Sequence, residues 1–206
     1  VVHPPVETER FSPGRAREYY LVVSELMPHK RIGVAVEAFN ALRLPLVVVG
    51  DGPDARRLRH IGGPTVSFTG RVSDEQAAEL MRGCRALVVT ATEEFGIAAV
   101  EAQAAGRPVV ALAQGGARET VLPGETGTFF APCHPEALAA VVADFDPADI
   151  DPLRCVENAA RFDTARFSEA LHAVVDEARQ AERPPRPVTQ PRARGRLRPV
   201  RVQPSA

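Results

Sequence analysis

Short apolar runs recur along this chain at near-regular spacing. They are "YYLVVS" (19–24), "LPLVVVG" (44–50), "TVSFTG" (65–70), "RALVVT" (85–90), "RPVVAL" (107–112) and a weaker "GTFF" (127–130). Each is too short for a helix and most are rich in β-branched residues, which predicts strands. Between them the period changes. Val34, Ala35, Ala38, Phe39 and Leu42 fall on one helical face, and Ser73 stands as the N-cap of "DEQAAELMRGC". Residues 134–143 and 167–180 read as closing helices. Strands that alternate with helices of this length predict right-handed βαβ units and a parallel sheet, and runs apolar on both faces suit a sheet covered on both sides. The predicted fold is α/β, a doubly wound Rossmann-like parallel sheet.

Composition narrows the picture. Of 206 residues, 45% are hydrophobic and 25% charged, the balance of a soluble globular protein. No apolar run approaches the roughly 20 residues of a membrane span. The opening "VVHPPVETERF" has neither the basic start nor the apolar stretch of a signal peptide, and no initiator Met. The chain is therefore expected to be a piece of something longer, cytoplasmic, with a peripheral place at the inner membrane face left open. Cys84, Cys133 and Cys155 stand far apart with no C-x-x-C pair, and the histidines do not pair at helical spacing, so no metal site is expected. Residues 183–206 hold seven arginines and no acid, leaving 18 basic against 26 acidic groups in 1–182. That Pro/Arg-rich tail is expected to be disordered; without aromatic residues for stacking, no nucleic-acid partner is assigned to it. Lys30 is the single lysine beside 24 arginines.

In a doubly wound sheet the ligand sits at the carboxyl ends of the strands. The segments found there are "SELMPHK", "GDGPD", "GRVSD", "ATEEFGI" and "AQGGARET", all polar, small or glycine-bearing. Neither G-x-G-x-x-G nor G-x-x-x-x-G-K-[ST] occurs, which argues against a standard NAD site and a P-loop. Most informative is "ATEEFGIAAVEAQAAGRPVVA" (91–111), which carries the chain from the fourth strand into the next helix. With Gly96 at the helix start, the free N–H groups near Phe95, Gly96 and Ile97 point outward with the positive end of the helix dipole, a site for a phosphate or diphosphate. Glu101 lies one turn deeper, roughly 6 Å at the helical rise, with its side chain tilted back toward the ligand that Glu93 meets from the loop. Carboxylates accept hydrogen bonds from vicinal hydroxyls, so sugar-like groups on a diphosphate fit, with Lys30 neutralising the charge. Taken alone, Glu93 and Glu94 are also what a helix start favours, and Glu101 is also what a surface ion pair requires. The strand end and the Phe-Gly turn favour the ligand reading.

At these residues the chain resembles the C-terminal, donor-binding half of family 4 ("group 1") retaining glycosyltransferases, which have the two-domain GT-B fold. The matching stretches are "YLVVSELMPHKRIGVAVEAFN", "LPLVVVGDGPDARRL", "VSFTGRVSDEQAAELMRGCRALVVTATEEFGIAAVEAQAAGRPVVA" and "GGARETVLPGETGTFF". They cover about residues 19–145 in order, and "VVHPPVETERF" resembles the linker that leads into this half. The resemblance implies a linker remnant at 1–18, a nucleotide-sugar-binding domain at 19–182 and the tail beyond. It implies catalytic roles for Glu93, on hydroxyls of the donor sugar, and for Lys30, on the diphosphate. Glu101 would take the ribose, and Phe95, Gly96 and Ile97 would offer backbone amides to the diphosphate and sugar. Gly50, Gly52, Arg71 and Val72 would line the base, and Gly115 and Gly116 would serve close packing near the site. The forms "PHKRIGVAVEAFN" and "EEFGI" are similar to those of enzymes using GDP-mannose. No cofactor and no metal are implied, and transfer would retain the anomeric configuration.

Two departures qualify this. Glu25 stands where many members have Arg, and an acid beside a diphosphate is repulsive unless it turns away. The N-terminal domain that binds acceptor in this family is not in the chain, so a partner half is implied and activity of the chain alone is not. Two other readings stay open: a nucleotide-sugar-binding remnant without transferase activity, and a GT-B relative such as a nucleotide-sugar epimerase.

Overall fold

The computed structural model describes residues 1–181. Six strands form one all-parallel sheet: β1 (Tyr20–Val23), β2 (Leu46–Val49), β3 (Val66–Gly70), β4 (Leu87–Val89), β5 (Val109–Leu112) and β6 (Gly127–Phe130). Their order is β3-β2-β1-β4-β5-β6, each lying inside one of the apolar runs. The helices are α1 (Ile32–Leu42), α2 (Ala55–Ile61), α3 (Asp74–Gly83), α4 (Ile97–Ala104), α5 (Ala117–Thr120), α6 (Pro135–Asp144), α7 (Pro152–Ala159) and α8 (Thr164–Ala181).

Strand alternation builds the core in two layers. β1 sends Tyr20 and Val22 to one side, where they meet Phe39 of α1 and Leu138 of α6. It sends Leu21 to the other, against Met81 of α3 and Ala99 and Ala102 of α4. β5 divides likewise, with Val110 and Leu112 on the first side and Val109 and Ala111 on the second. Both faces are covered, as predicted, except at the margin. β3 is an edge strand, and Ser67 and Thr69 are exposed, so only its inward face is apolar. α1 departs the other way. Ile32 and Val36 are buried along with Ala35, Ala38 and Phe39 of the predicted stripe, while Val34 and Leu42 are half-buried, and α2 and α6 pack against the helix.

The helix before the fourth strand begins as the sequence predicts. Ser73 Oγ accepts from the Gln76 N–H at 3.3 Å, and Gln76 Oε1 accepts from the Ser73 N–H at 3.1 Å, a reciprocal capping box. Replacing Ser73 with Ala is expected to cost about 1 kcal/mol and to lower the melting temperature by roughly 2–4 °C. Thermal denaturation followed by circular dichroism would measure it, and an unchanged midpoint would show the cap to be inert. α7 is an element the apolar pattern did not predict, although "DIDPLRC" carries its start signal. Asp151 caps it by accepting from the Leu153 N–H at 2.9 Å, and Pro152 occupies the first turn.

The first 18 residues, expected as linker, contribute to the core. Val6 is 2% exposed and packs with Phe95, Val100 and Phe162, and its N–H donates to the Phe162 carbonyl at 2.9 Å. Cys84 and Cys155 are buried, with thiols pushed up to about 12 by burial, so they pack as small apolar groups. Among the described residues, no helix is long and apolar enough to cross a membrane. The Pro/Arg-rich tail at 183–206, and the expectations of disorder and of no nucleic-acid partner attached to it, lie outside the described residues.

Candidate functional site

The strand order has one reversal point. β1 lies between β2 and β4, so the chain leaves β1 to one side and β4 to the other. Their two loops part there and open a crevice, the place where doubly wound sheets bind ligands. The loop after β1 carries Lys30 in a short 3-10 turn, Pro28–Lys30, and the loop after β4 carries Glu93. The two side chains meet. The Lys30 ammonium donates to Glu93 Oε1 and Oε2 at 2.8 Å each, and the side chains are 22% and 27% exposed.

Beneath this pair the backbone is held by a residue the sequence reading passed over. Thr90, directly after β4 and only 3% exposed, donates its hydroxyl to the Lys30 carbonyl at 2.8 Å. A polar residue closing the otherwise apolar run "LVVT" was the available signal. Thr92 Oγ1 donates to Gln114 Oε1 at 2.9 Å, joining the loop after β4 to the loop after β5.

α4 begins directly beside the pair. Gly96, its N-cap, has φ +89° in the left-handed region that favours glycine. An added Cβ would find nothing closer than 3.9 Å, so the backbone conformation, not crowding by the protein, requires glycine here. Among the described residues, no protein acceptor takes the N–H of Gly96, Ile97 or Ala98. Three outward N–H groups at the positive end of a helix dipole form an anion cradle. Ile97 is 49% exposed at its rim.

Lys30, Glu93, Phe95, Gly96 and Ile97 line one open cleft of about 660 Å³. Gly50, Arg71 and Val72 line a second of about 330 Å³, and the two share Val23, Ser24 and Glu25 at the end of β1. Glu25 is exposed and borders both. Gly52, Glu101, Gly115 and Gly116 line neither cleft. Gly52 and Gly116 act from behind the clefts, and Gly50, which lines the second, is packed in the same way. A Cβ on Gly50 would lie 1.8 Å from the Ser24 carbonyl oxygen, one on Gly52 2.6 Å from that of Leu26, and one on Gly116 2.4 Å from that of Glu94. The loops are thus packed backbone to backbone.

Glu101 is half-buried, and burial pushes its carboxyl above the usual carboxylate range. The charges around it are Arg10, Asp74 and Glu7, and Asp74 lines the second cleft. It does not share the Glu93 cleft, and among the described residues no ion pair holds it.

Behind α4 lies a polar network with no signature in the apolar pattern. Gln103, fully buried, donates to the carbonyls of Ala99 at 3.0 Å and Thr120 at 2.9 Å, and it accepts from Asn158 Nδ2 at 2.6 Å. It ties α4, α5 and α7 into one support, with every buried side-chain donor and acceptor satisfied among the described residues.

Comparison with known proteins shows what the chain as a whole is similar to. The family model described as "Glycosyl transferases group 1" matches residues 6–162. A D-inositol 3-phosphate glycosyltransferase of Streptomyces avermitilis is 34% identical, over 72% of this chain and 39% of its own length. A GDP-mannose-dependent alpha-(1-6)-phosphatidylinositol monomannoside mannosyltransferase of Mycolicibacterium smegmatis is 32% identical, over 68% of this chain and 45% of its own. The chain spans less than half the length of these relatives. Among solved structures, Anabaena HepE in complex with UDP and glucose superimposes with a TM-score of 0.72 at 22% identity, covering 85% of this chain and 56% of that one.

Proposed function

The chain belongs to the group 1 glycosyltransferases, and from that membership we propose that it is the donor-binding half of an enzyme that transfers a hexose from a nucleotide sugar, with GDP-mannose the favoured donor. The observation that carries this is the Lys30–Glu93 pair at the sheet's reversal point, beside the free N–H groups of α4. A diphosphate set on that helix start would meet three N–H donors and the Lys30 ammonium. Glu93 would turn to the hydroxyls of the attached sugar. The Lys30 ammonium and the free N–H groups of α4 would stabilise the nucleoside diphosphate as it leaves, a contribution that calls on neither metal nor cofactor.

The second cleft, walled by Gly50, Arg71 and Val72, lies on the side suited to the base. Glu101, half-buried on α4 and within electrostatic reach of Asp74, which lines this second cleft, would hold the ribose hydroxyls. Glu25 borders both clefts; its exposure lets it turn to water when the diphosphate arrives. The mannosyltransferase relative supports GDP-mannose and the UDP-bound neighbour supports a uridine donor, so the donor is a matter for titration. Transfer with retention, and completion of the site by an acceptor-binding half, follow from the same family reading.

Calorimetric titration of the chain with GDP, GDP-mannose, UDP and UDP-glucose, alongside Glu101→Ala, tests this. Saturable binding of one nucleotide family is expected, weakened about tenfold or more in the variant by loss of a charged hydrogen-bond partner to the ribose. Absence of binding by the folded chain would remove the claim that this half holds donor by itself.

A further inference from the structure

Glu119 had no role in the sequence, and His3 lay in a stretch expected only to lead into the domain. The structure joins them at the donor loop. His3 Nε2 donates to Glu119 Oε2 at 2.9 Å. The His3 ring lies 5.6 Å from that of Phe95, centroid to centroid, and meets Phe162 edge-on at 5.4 Å. Phe95 and Phe162 are themselves 5.3 Å apart at 72°. Phe95, Phe162 and His3 therefore form a mutual three-ring cluster, one ring of which is supplied by the opening segment that Val6 anchors in the core. Pro4, between His3 and that anchor, lines the donor cleft.

The same loop is held from its other side. The Gly116 N–H, at the start of α5, donates to the Glu93 carbonyl at 2.8 Å. α5 also carries Glu119. His3, Glu119, α5 and Phe95 thus close a ring of contacts around residues 93–97. Those residues carry Glu93 and lead into the unpaired N–H groups, whose value to an anion depends on their being fixed in advance.

We propose that His3, bonded to Glu119 and packed against Phe95, is a positioning residue that fixes the Phe95–Ile97 turn for the donor's diphosphate. This rests on the reading of the cleft as a nucleotide-sugar site. His3 touches neither base nor ribose in that reading, so its influence falls on the terminal phosphate and what is attached to it.

The test compares nucleoside mono- and diphosphates of whichever base the unaltered chain prefers, by calorimetry, in His3→Ala, His3→Phe and Glu119→Ala. The expected result is that the preference for diphosphate over monophosphate falls about five- to tenfold in His3→Ala, the scale of one or two aromatic contacts, with monophosphate affinity unchanged. His3→Phe retains the ring and is expected to restore most of the preference, and Glu119→Ala to lose about two- to threefold through the weaker, exposed bond. Each variant is checked for its melting temperature. An equal loss for both nucleotides would mean general loosening and would overturn the proposal, as would an unchanged preference in all three variants. A chain that binds neither nucleotide would remove the donor-site reading itself, and this inference with it.

Discussion

Lys30→Ala is expected to weaken binding of a nucleoside diphosphate by about 2 to 3 kcal/mol, roughly 30- to 150-fold in Kd, the worth of a hydrogen bond to a charged group. Two effects act together. The ammonium that would meet the diphosphate is gone, and Glu93, with a side chain only 27% exposed, keeps a charge whose bidentate partner at 2.8 Å has been removed. That residual carboxylate would face the phosphates and repel them. Glu93→Gln separates the two effects. It removes the repulsion, leaves the ammonium free to turn, and is expected to leave diphosphate affinity equal or improved while lowering the affinity of the sugar-bearing donor relative to it. Calorimetry with the diphosphate and the nucleotide sugar reads both variants. If Lys30→Ala binds the diphosphate within about threefold of the unaltered chain, a phosphate role for Lys30 is untenable, since an exposed, screened charge contributes no more than that.

The central strands were legible because burial on both faces leaves a run of apolar β-branched residues that no loop or surface helix shares, and the edge strand β3 because its inward residues alternate with polar ones; all six fall where the runs lie. The reversal point was not legible. Strand order depends on which strands pair, and the apolar runs of β1 and β4 do not record that they are neighbours. Topology, not motif, therefore explains why the first and fourth loops hold the Lys30–Glu93 pair while the loops after β2 and β3 wall a second cleft that joins the first at the end of β1. The pairing of Lys30 with Glu93 was likewise hidden, since the two are 63 residues apart and each had been assigned its own part of the ligand. Glu101 shows the limit of helical geometry. Its position one turn into α4 followed from spacing, but it does not line the Glu93 cleft, and the charges that act on it, Arg10, Asp74 and Glu7, come from α3 and the opening segment, which pack against α4. α7 and the Gln103–Asn158 network escaped for a related reason: buried amides satisfy one another across elements, so their burial leaves no apolar mark.

Gly116→Ala is expected to be among the most damaging single-methyl additions in the chain, although Gly116 has φ −63°, a conformation any residue adopts. The new Cβ would lie 2.4 Å from the Glu94 carbonyl oxygen and 2.4 Å from Phe95 Cα, both backbone atoms, so no side chain can rotate to relieve it. Either α5 or the loop at 93–95 must move by about 1 Å, at a cost of about 3 kcal/mol, the upper range for overpacking. Movement of α5 would strain the Gly116 N–H bond to the Glu93 carbonyl at 2.8 Å and the bonds that Gln103 and Asn158 make to the Thr120 carbonyl. Movement of the loop would displace Glu93 and Phe95 together. Whichever yields, stability and nucleotide affinity are expected to fall together. Gly124→Ala is the control. Gly124 has φ +79° but nothing within 4 Å of an added Cβ, so only backbone strain of about 1 kcal/mol is expected, with nucleotide binding unaltered. Chemical denaturation and calorimetry on both variants decide the matter. Equal destabilisation of the two would mean that α5 and the donor loop are not locked backbone to backbone. A larger loss in Gly116→Ala, with weakened diphosphate binding confined to it, would establish that the "GG" before α5 acts on the donor loop through contact at Glu94 and Phe95, without touching the ligand.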